Sequence, residues 1–215
     1  MYDVIVSGSS SGIGKAVADE LKKEYNIIKV SRRDGVDLRD IKKIDGIVAD
    51  DVYAIINNAG ICPKKRFYDY SLEDWNRIVD TNIRPVWYLA SKFLDDLKKN
   101  HGCIINISSV HAVATLDKNS VYAMTKGAIE SFSRGMALEL AEYGIRVNCV
   151  RPGSVLTPML RYERDMEKTI PMQRVAKPEE VAKIVRFLLG RDSSYITGEC
   201  ITIDGGVLSK LSVMK

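Results

Sequence analysis

Val4-Ile5-Val6 is an apolar run of strand-forming residues, and just beyond it comes the turn Gly8-Ser9-Ser10-Ser11-Gly12-Ile13-Gly14. Ile13, Val17 and Leu21 recur every four residues, which places them on one face of a helix that starts inside the glycine cluster. Strand, glycine turn and amphipathic helix in that order narrow the fold to one that opens with a parallel strand–helix unit. Three glycines have a physical purpose there: they permit a tight turn, let a pyrophosphate approach the backbone, and let the helix pack closely on the strand. The helix N-terminus then offers unpaired N–H groups and the positive end of a dipole. A Gly/Ser turn with no ligand would read the same way in isolation. Its position at the first strand–helix junction favours the phosphate reading.

The rest of the chain continues the alternation. Ile27 to Val30, Ala54 to Ile56, Cys103 to Ile107, Ile145 to Val150 and Cys200 to Ile203 read as strands, several apolar on both faces, as a parallel sheet covered by helices requires. The clearest helix is Pro178 to Leu189, with Pro178 in the first turn, Glu179 and Glu180 at the positive end, and Val181, Ile184, Val185 and Leu188 as the buried stripe. Gly190 supplies its stop. The pattern specifies an α/β fold: a single-domain, Rossmann-type, doubly wound parallel sheet with helices on both faces. With no internal repeat, linker or second composition regime, residues 1–215 read as one domain.

Composition excludes several function classes. Hydrophobic residues at 46% and charged residues at 28% argue against disordered or collagen-like chains. A net charge of +4 is too small to argue for nucleic acid or a membrane surface, and neither is expected as a partner. Cys62, Cys103, Cys149 and Cys200 contain no C-x-x-C pair, and with only His101 and His111 beside them a zinc cluster lacks ligands. Read as reduced thiols, and without a basic leader or long apolar segment at the N-terminus, the chain is expected to be cytoplasmic.

Further segments carry chemistry. Asn57-Asn58-Ala59-Gly60 follows a strand, Asn82 lies in a helical stretch, and Ile105-Asn106-Ile107-Ser108-Ser109 ends another strand. Tyr122-Ala-Met-Thr-Lys126, Pro152-Gly153 with Thr157, and Ile203-Asp204-Gly205-Gly206 complete the set. Together with the glycine turn these seven segments, in order over nearly the whole chain, resemble the short-chain dehydrogenase/reductase family, including its 3-oxoacyl-ACP reductase-like and related NADP-dependent members. The resemblance implies an oxidoreductase that binds a nicotinamide cofactor across the carboxyl ends of the strands.

Tyr122 and Lys126 are four residues apart, so on a helix their side chains share one face. A phenol with an ordinary pKa near ~10 is a poor acid–base catalyst at neutral pH, and a lysine cation close by favours the phenolate. Spacing alone equally suits a packed tyrosine with a solvated lysine one turn on. The resemblance assigns the proton transfer to Tyr122, orientation of the substrate oxygen to Ser109, and ribose binding and tuning of the phenol to Lys126. It also gives Asn82 a water that links the lysine to solvent. For the cofactor, it implies Gly8, Ser10, Ser11, Gly12, Ile13 and Gly14 at the phosphates, Asn58, Ala59 and Gly60 after the third strand, and Pro152, Gly153, Val155 and Thr157 with Tyr122 and Lys126 at the nicotinamide.

Ser31, Arg32 and Arg33 follow the second strand where an NAD enzyme places an acid for the ribose 2′-hydroxyl; guanidinium matches a 2′-phosphate instead, which favours NADP over NAD. Asp34 comes late in the count for the NAD role, and Ser11 is not the basic residue often found in NADP members. Asp37 matches the family's adenine-contacting aspartate, with Leu38 beside it. Too few residues separate Val30 from Val36-Asp37-Leu38 for a helical crossover, so one sheet edge is expected to be trimmed and the strand there short or irregular.

Thr157 to Pro171 mixes Met159, Leu160, Met166 and Ile170 with charged residues and fits either an amphipathic lid or a surface helix. Lys64-Lys65-Arg66 reads as a solvated turn, and His111 receives no role. Two long helices, about Ile83 to Lys99 and Asn119 to Glu142, match those that pair subunits in the family, which implies a homodimer or homotetramer. The expected activity is reduction of a carbonyl or oxidation of an alcohol on a small molecule. The alternative is an NADP-binding sensor without turnover, against which stands the intact set Asn82, Ser109, Tyr122 and Lys126.

Overall fold

Six strands pair side by side into one all-parallel sheet: β1 (Asp3–Ser7), β2 (Asn26–Val30), β3 (Val52–Asn57), β4 (Cys103–Ile107), β5 (Arg146–Pro152) and β6 (Cys200–Ile203), in the order β2-β1-β3-β4-β5-β6. The computed structural model describes residues 1–160 and 165–210. Helices α1 (Gly12–Leu21), α2 (Ile41–Asp45), α3 (Leu72–Asn82), α4 (Arg84–Lys92), α5 (Leu94–Lys99), α6 (Ser120–Leu140) and α7 (Pro178–Leu189) fill the connections. The chain leaves β1 for β2 on one side and returns to β3 on the other, and this reversal opens a crevice at the carboxyl ends of β1 and β3.

Alternation along each strand divides the core in two. Val4, Val6, Ile56 and Ile105 pack with Val17 and Leu21 of α1 and Val181, Val185 and Leu188 of α7. Ile5, Ile55, Ile104 and Val147 pack on the opposite face with Leu89, Phe93, Leu97, Ile129 and Met136 from α4 to α6. Each fully buried Ile or Leu contributes about 1.5–3 kcal/mol, so both apolar faces of the sheet are committed and the polar groups gather at its carboxyl edge.

The trimmed edge is present. No described residue forms a strand outside β2, and residues 36–40 are coil and turn. The cause is local: after β2 the chain folds into a 3-10 turn, Arg32–Asp34, closed by Val36 N–H on the Ser31 carbonyl at 3.0 Å. Leu38 is buried with Ile44 and Ile47.

Two helix expectations need correction. The helix read from Ile83 to Lys99 is two helices, because the backbone opens at Phe93 (φ −105°, ψ 22°), whose ring enters the core near Leu97. The helix read from Asn119 to Glu142 ends at Leu140 and finishes in a 3-10 turn, after which Gly144 at φ 72° reverses the chain. Gly190 ends α7 as expected, in extended backbone (φ −72°, ψ 169°). Of the proposed lid, residues 161–164 lie outside the described residues; Met166–Thr169 is a 3-10 turn.

Candidate active site

A cavity of about 590 Å³ runs along the carboxyl edge of the sheet, from Arg32, Arg33 and Asp37 past the glycine turn to Ser109, Tyr122 and Lys126. The glycine turn forms its floor. Gly8 (φ 66°) and Gly12 (φ 53°) hold left-handed backbone that favours glycine. A Cβ on Gly14 would lie 2.3 Å from the Gly8 carbonyl oxygen, which is the close helix–strand approach the third glycine permits. Ser11, the N-cap of α1, makes no side-chain cap bond, so the first-turn N–H groups are left for a ligand.

The segment after β3 is stitched to this turn. Ser7 Oγ accepts the N–H groups of Asn58 (2.9 Å) and Ala59 (3.0 Å), and Asn58 Nδ2 donates to the Ser7 carbonyl at 3.0 Å. Gly12 meets Thr157 across the cavity, where a Cβ would come within 3.0 Å of the threonine methyl. Pro152, Gly153 and Val155 line the wall beside it.

At the other end Arg32 and Arg33 line the cavity, while the Asp34 carboxylate turns back to accept from Ser31 Oγ at 2.5 Å and Ser9 Oγ at 3.4 Å. Asp37 is held by Arg39, Oδ2 to Nη2 at 2.6 Å, and these bonds keep its carboxyl at about 2.

Tyr122 and Lys126 project from one face of α6, with Lys126 Nζ 5.8 Å from the Tyr122 ring centroid. Lys126 Nζ donates to the Ile107 carbonyl at 2.7 Å. Ser109 lies two residues beyond the end of β4, and its Oγ accepts the His111 N–H at 3.2 Å. Burial pushes the Tyr122 phenol up to about 12, against a hydrogen bond from Ser109 that lowers it. Burial also pulls the Lys126 ammonium down to about 8. In the protein alone, desolvation of the ring and then the neighbouring Cys62 raise the phenol more than the Ser109 hydrogen bond lowers it, so the acidifying effect expected of Lys126 does not prevail there.

Asn82 is buried beside this group. Its amide is taken up by protein: Oδ1 accepts Ile61 N–H at 2.9 Å, and Nδ2 donates to the Ile61 carbonyl (3.0 Å) and Thr125 Oγ1 (3.1 Å). It braces the Gly60-Ile61 backbone against α6 one residue before Lys126. Gly60 faces both, since a Cβ there would lie 3.5 Å from Asn82 Oδ1 and 3.7 Å from Lys126 Nζ.

Beneath this group lies a cluster that no sequence motif marks. Glu130, one turn after Lys126, accepts Ser108 Oγ (2.7 Å), Arg151 Nε (2.8 Å) and Nη2 (2.7 Å), and Cys200 Sγ at 3.3 Å. It ties the ends of β4, β5 and β6 to α6. The one signal in the sequence is an acid on the same helix face as Lys126. Cys62, Asn119 and Leu116 also line the cavity and carried no motif.

Glycine floor, uncapped helix start, arginine pair and Ser–Tyr–Lys group fit a phosphorylated dinucleotide with a small carbonyl or alcohol beside it. A family model described as enoyl-(acyl carrier protein) reductase matches residues 37–208. Glucose 1-dehydrogenase 2 of Bacillus subtilis is 33% identical over 240 residues, covering 94% of this chain and 93% of that protein. Among solved structures, the ligand-free aldohexose dehydrogenase of Thermoplasma acidophilum superposes with a TM-score of 0.92 at 29% identity, covering 100% of this chain and 96% of that one. The 3-ketoacyl-(acyl-carrier-protein) reductase of Brucella melitensis, complexed with NADH, gives 0.90 at 27% identity, covering 96% and 98%.

Proposed function

The chain belongs to the short-chain dehydrogenase/reductase family, and from that premise we propose an NADP(H)-dependent oxidoreductase that interconverts a carbonyl and an alcohol. The observation that carries the reading is the meeting of Ser109, Tyr122 and Lys126 on the wall of the cavity floored by the glycine turn. When bound, the cofactor supplies the hydride.

The protein's own groups do the rest. Tyr122, kept protonated by burial, is loaded to give its proton to a carbonyl oxygen. Ser109 Oγ accepts the His111 N–H, and its own O–H, which bonds Tyr122 in the protein alone, can turn to the same oxygen as negative charge develops there. Lys126 spends one N–H on Ile107 and has two left for ribose hydroxyls. Arg32 and Arg33 supply guanidinium groups for a 2′-phosphate, while Asp34 is engaged by Ser31 and Ser9.

The test is cofactor oxidation with a panel of ketones. Tyr122→Phe should keep NADPH binding and lose turnover by roughly a hundredfold or more. Arg32→Ala should lower the preference for NADPH over NADH. Near-normal turnover in the first variant overturns the catalytic assignment, and a parent enzyme that prefers NADH overturns the cofactor assignment.

A further inference from the structure

His111 lines the substrate end of the cavity, two residues after Ser109. Its ring is fixed on two sides: Nδ1 lies 2.8 Å from Thr115 Oγ1, and the ring meets Tyr122 edge-on with centroids 5.6 Å apart. Its backbone N–H is fixed as well, on Ser109 Oγ. Burial, and then the charge of Lys64, hold the imidazole below its ordinary pKa, so the ring is neutral at physiological pH. A neutral imidazole with Nδ1 engaged presents one directional polar atom, Nε2, as donor or acceptor according to how the Thr115 hydroxyl turns. The cavity wall also carries the apolar Leu116, Met159, Leu160 and Met166 beside the polar Asn119 and Lys64.

We propose that His111 is a specificity residue that hydrogen-bonds a hydroxyl on the carbon next to the reacting carbonyl, which makes α-hydroxy ketones and the matching vicinal diols the preferred substrates. The inference rests on the oxidoreductase reading. An oxygen held between Ser109 and Tyr122 leaves the adjacent carbon beside the His111 ring, because that ring packs against the Tyr122 ring itself. A substrate lacking the hydroxyl leaves a half-buried Nε2 without that partner, a loss on the order of ten- to a hundredfold.

The experiment compares kcat/KM for acetoin and butanone, with NADPH, in the parent enzyme, His111→Phe and His111→Ala. Phenylalanine keeps the ring contact with Tyr122 and removes the nitrogens; alanine serves if the larger ring is not accommodated. The expected result is a parent ratio of roughly tenfold or more in favour of acetoin, falling close to one in either variant. A parent ratio near one, or a ratio retained in the variants, overturns the assignment of His111 while leaving the oxidoreductase reading intact. No turnover of either ketone, with NADPH still bound, overturns both.

Discussion

Replacing Glu130 with alanine removes the acid that three site-bearing segments share. Its side chain is 8% exposed and that of Arg151 16%, and the pair is bidentate at 2.7 and 2.8 Å. Breaking a buried pair from one side strands the other charge, at a cost of about 3–5 kcal/mol. For a domain of this size that lowers Tm by roughly 6–20 °C. Removing both charges in Glu130→Ala/Arg151→Ala relieves the stranded guanidinium, so the double variant should be more stable than Glu130→Ala by about 1 kcal/mol or more.

The pH dependence has a definite sign. Burial works to raise the Glu130 pKa, but hydrogen bonds from Arg151, Ser108 and Cys200 outweigh it and hold the carboxyl below its ordinary 4.5. A folded pKa below the unfolded one gives stability that is present above the unfolded value and lost as pH falls through the folded one. The gap between parent and Glu130→Ala should therefore be full at neutral pH and narrow below pH 4.5. Urea unfolding followed by circular dichroism across pH 3 to 8 reads both effects. A single variant within about 0.5 kcal/mol of the parent, or a double variant less stable than the single one, would refute the reasoning.

Other perturbations test the site separately. Because burial brings Lys126 to about 8, turnover should fall as pH rises through that value, and Lys126→Arg should carry the alkaline limb upward; an unmoved limb in a pH–rate profile counts against the assignment. Gly14→Ala puts a methyl group 2.4 Å from Asn58 Nδ2 as well as against the Gly8 carbonyl, so it should cost about 1–3 kcal/mol and weaken NADPH binding measured by fluorescence titration. Gly135→Ala, inside α6 with nothing within 4 Å of the added methyl, should raise stability by about 0.5–1 kcal/mol in the same unfolding assay.

What could be read from the chain alone followed its physical causes. Val4, Ile5 and Val6 are apolar on both faces because helices cover both faces, so all six strands were legible. Ser109, Tyr122 and Lys126 were legible through the family's motifs and meet in the cavity. Local pattern says nothing about desolvation, so proximity to Lys126 does not by itself give the direction in which the phenol shifts in the protein alone. Phe93 breaks its helix to seat a ring, which no helix propensity announces. Glu130 and Arg151 are far apart in the chain and meet only after β5 lies beside β4.

The absent outer strand has its own consequence. With no described strand beyond β2, the cavity end lined by Arg32, Arg33 and Asp37 is bounded by a short reversal at Ser31–Gly35 and a coil pinned by Asp37–Arg39, while the end lined by Ser109, Tyr122 and Lys126 rests on β4, β5 and α6 in the sheet interior. On the proposed function, the portion that would select a coenzyme is thus a peripheral hem a few residues long, set apart in the sheet from the portion that would move protons. Exchanges within that hem should then retune coenzyme choice while leaving Ser109, Tyr122 and Lys126 in place.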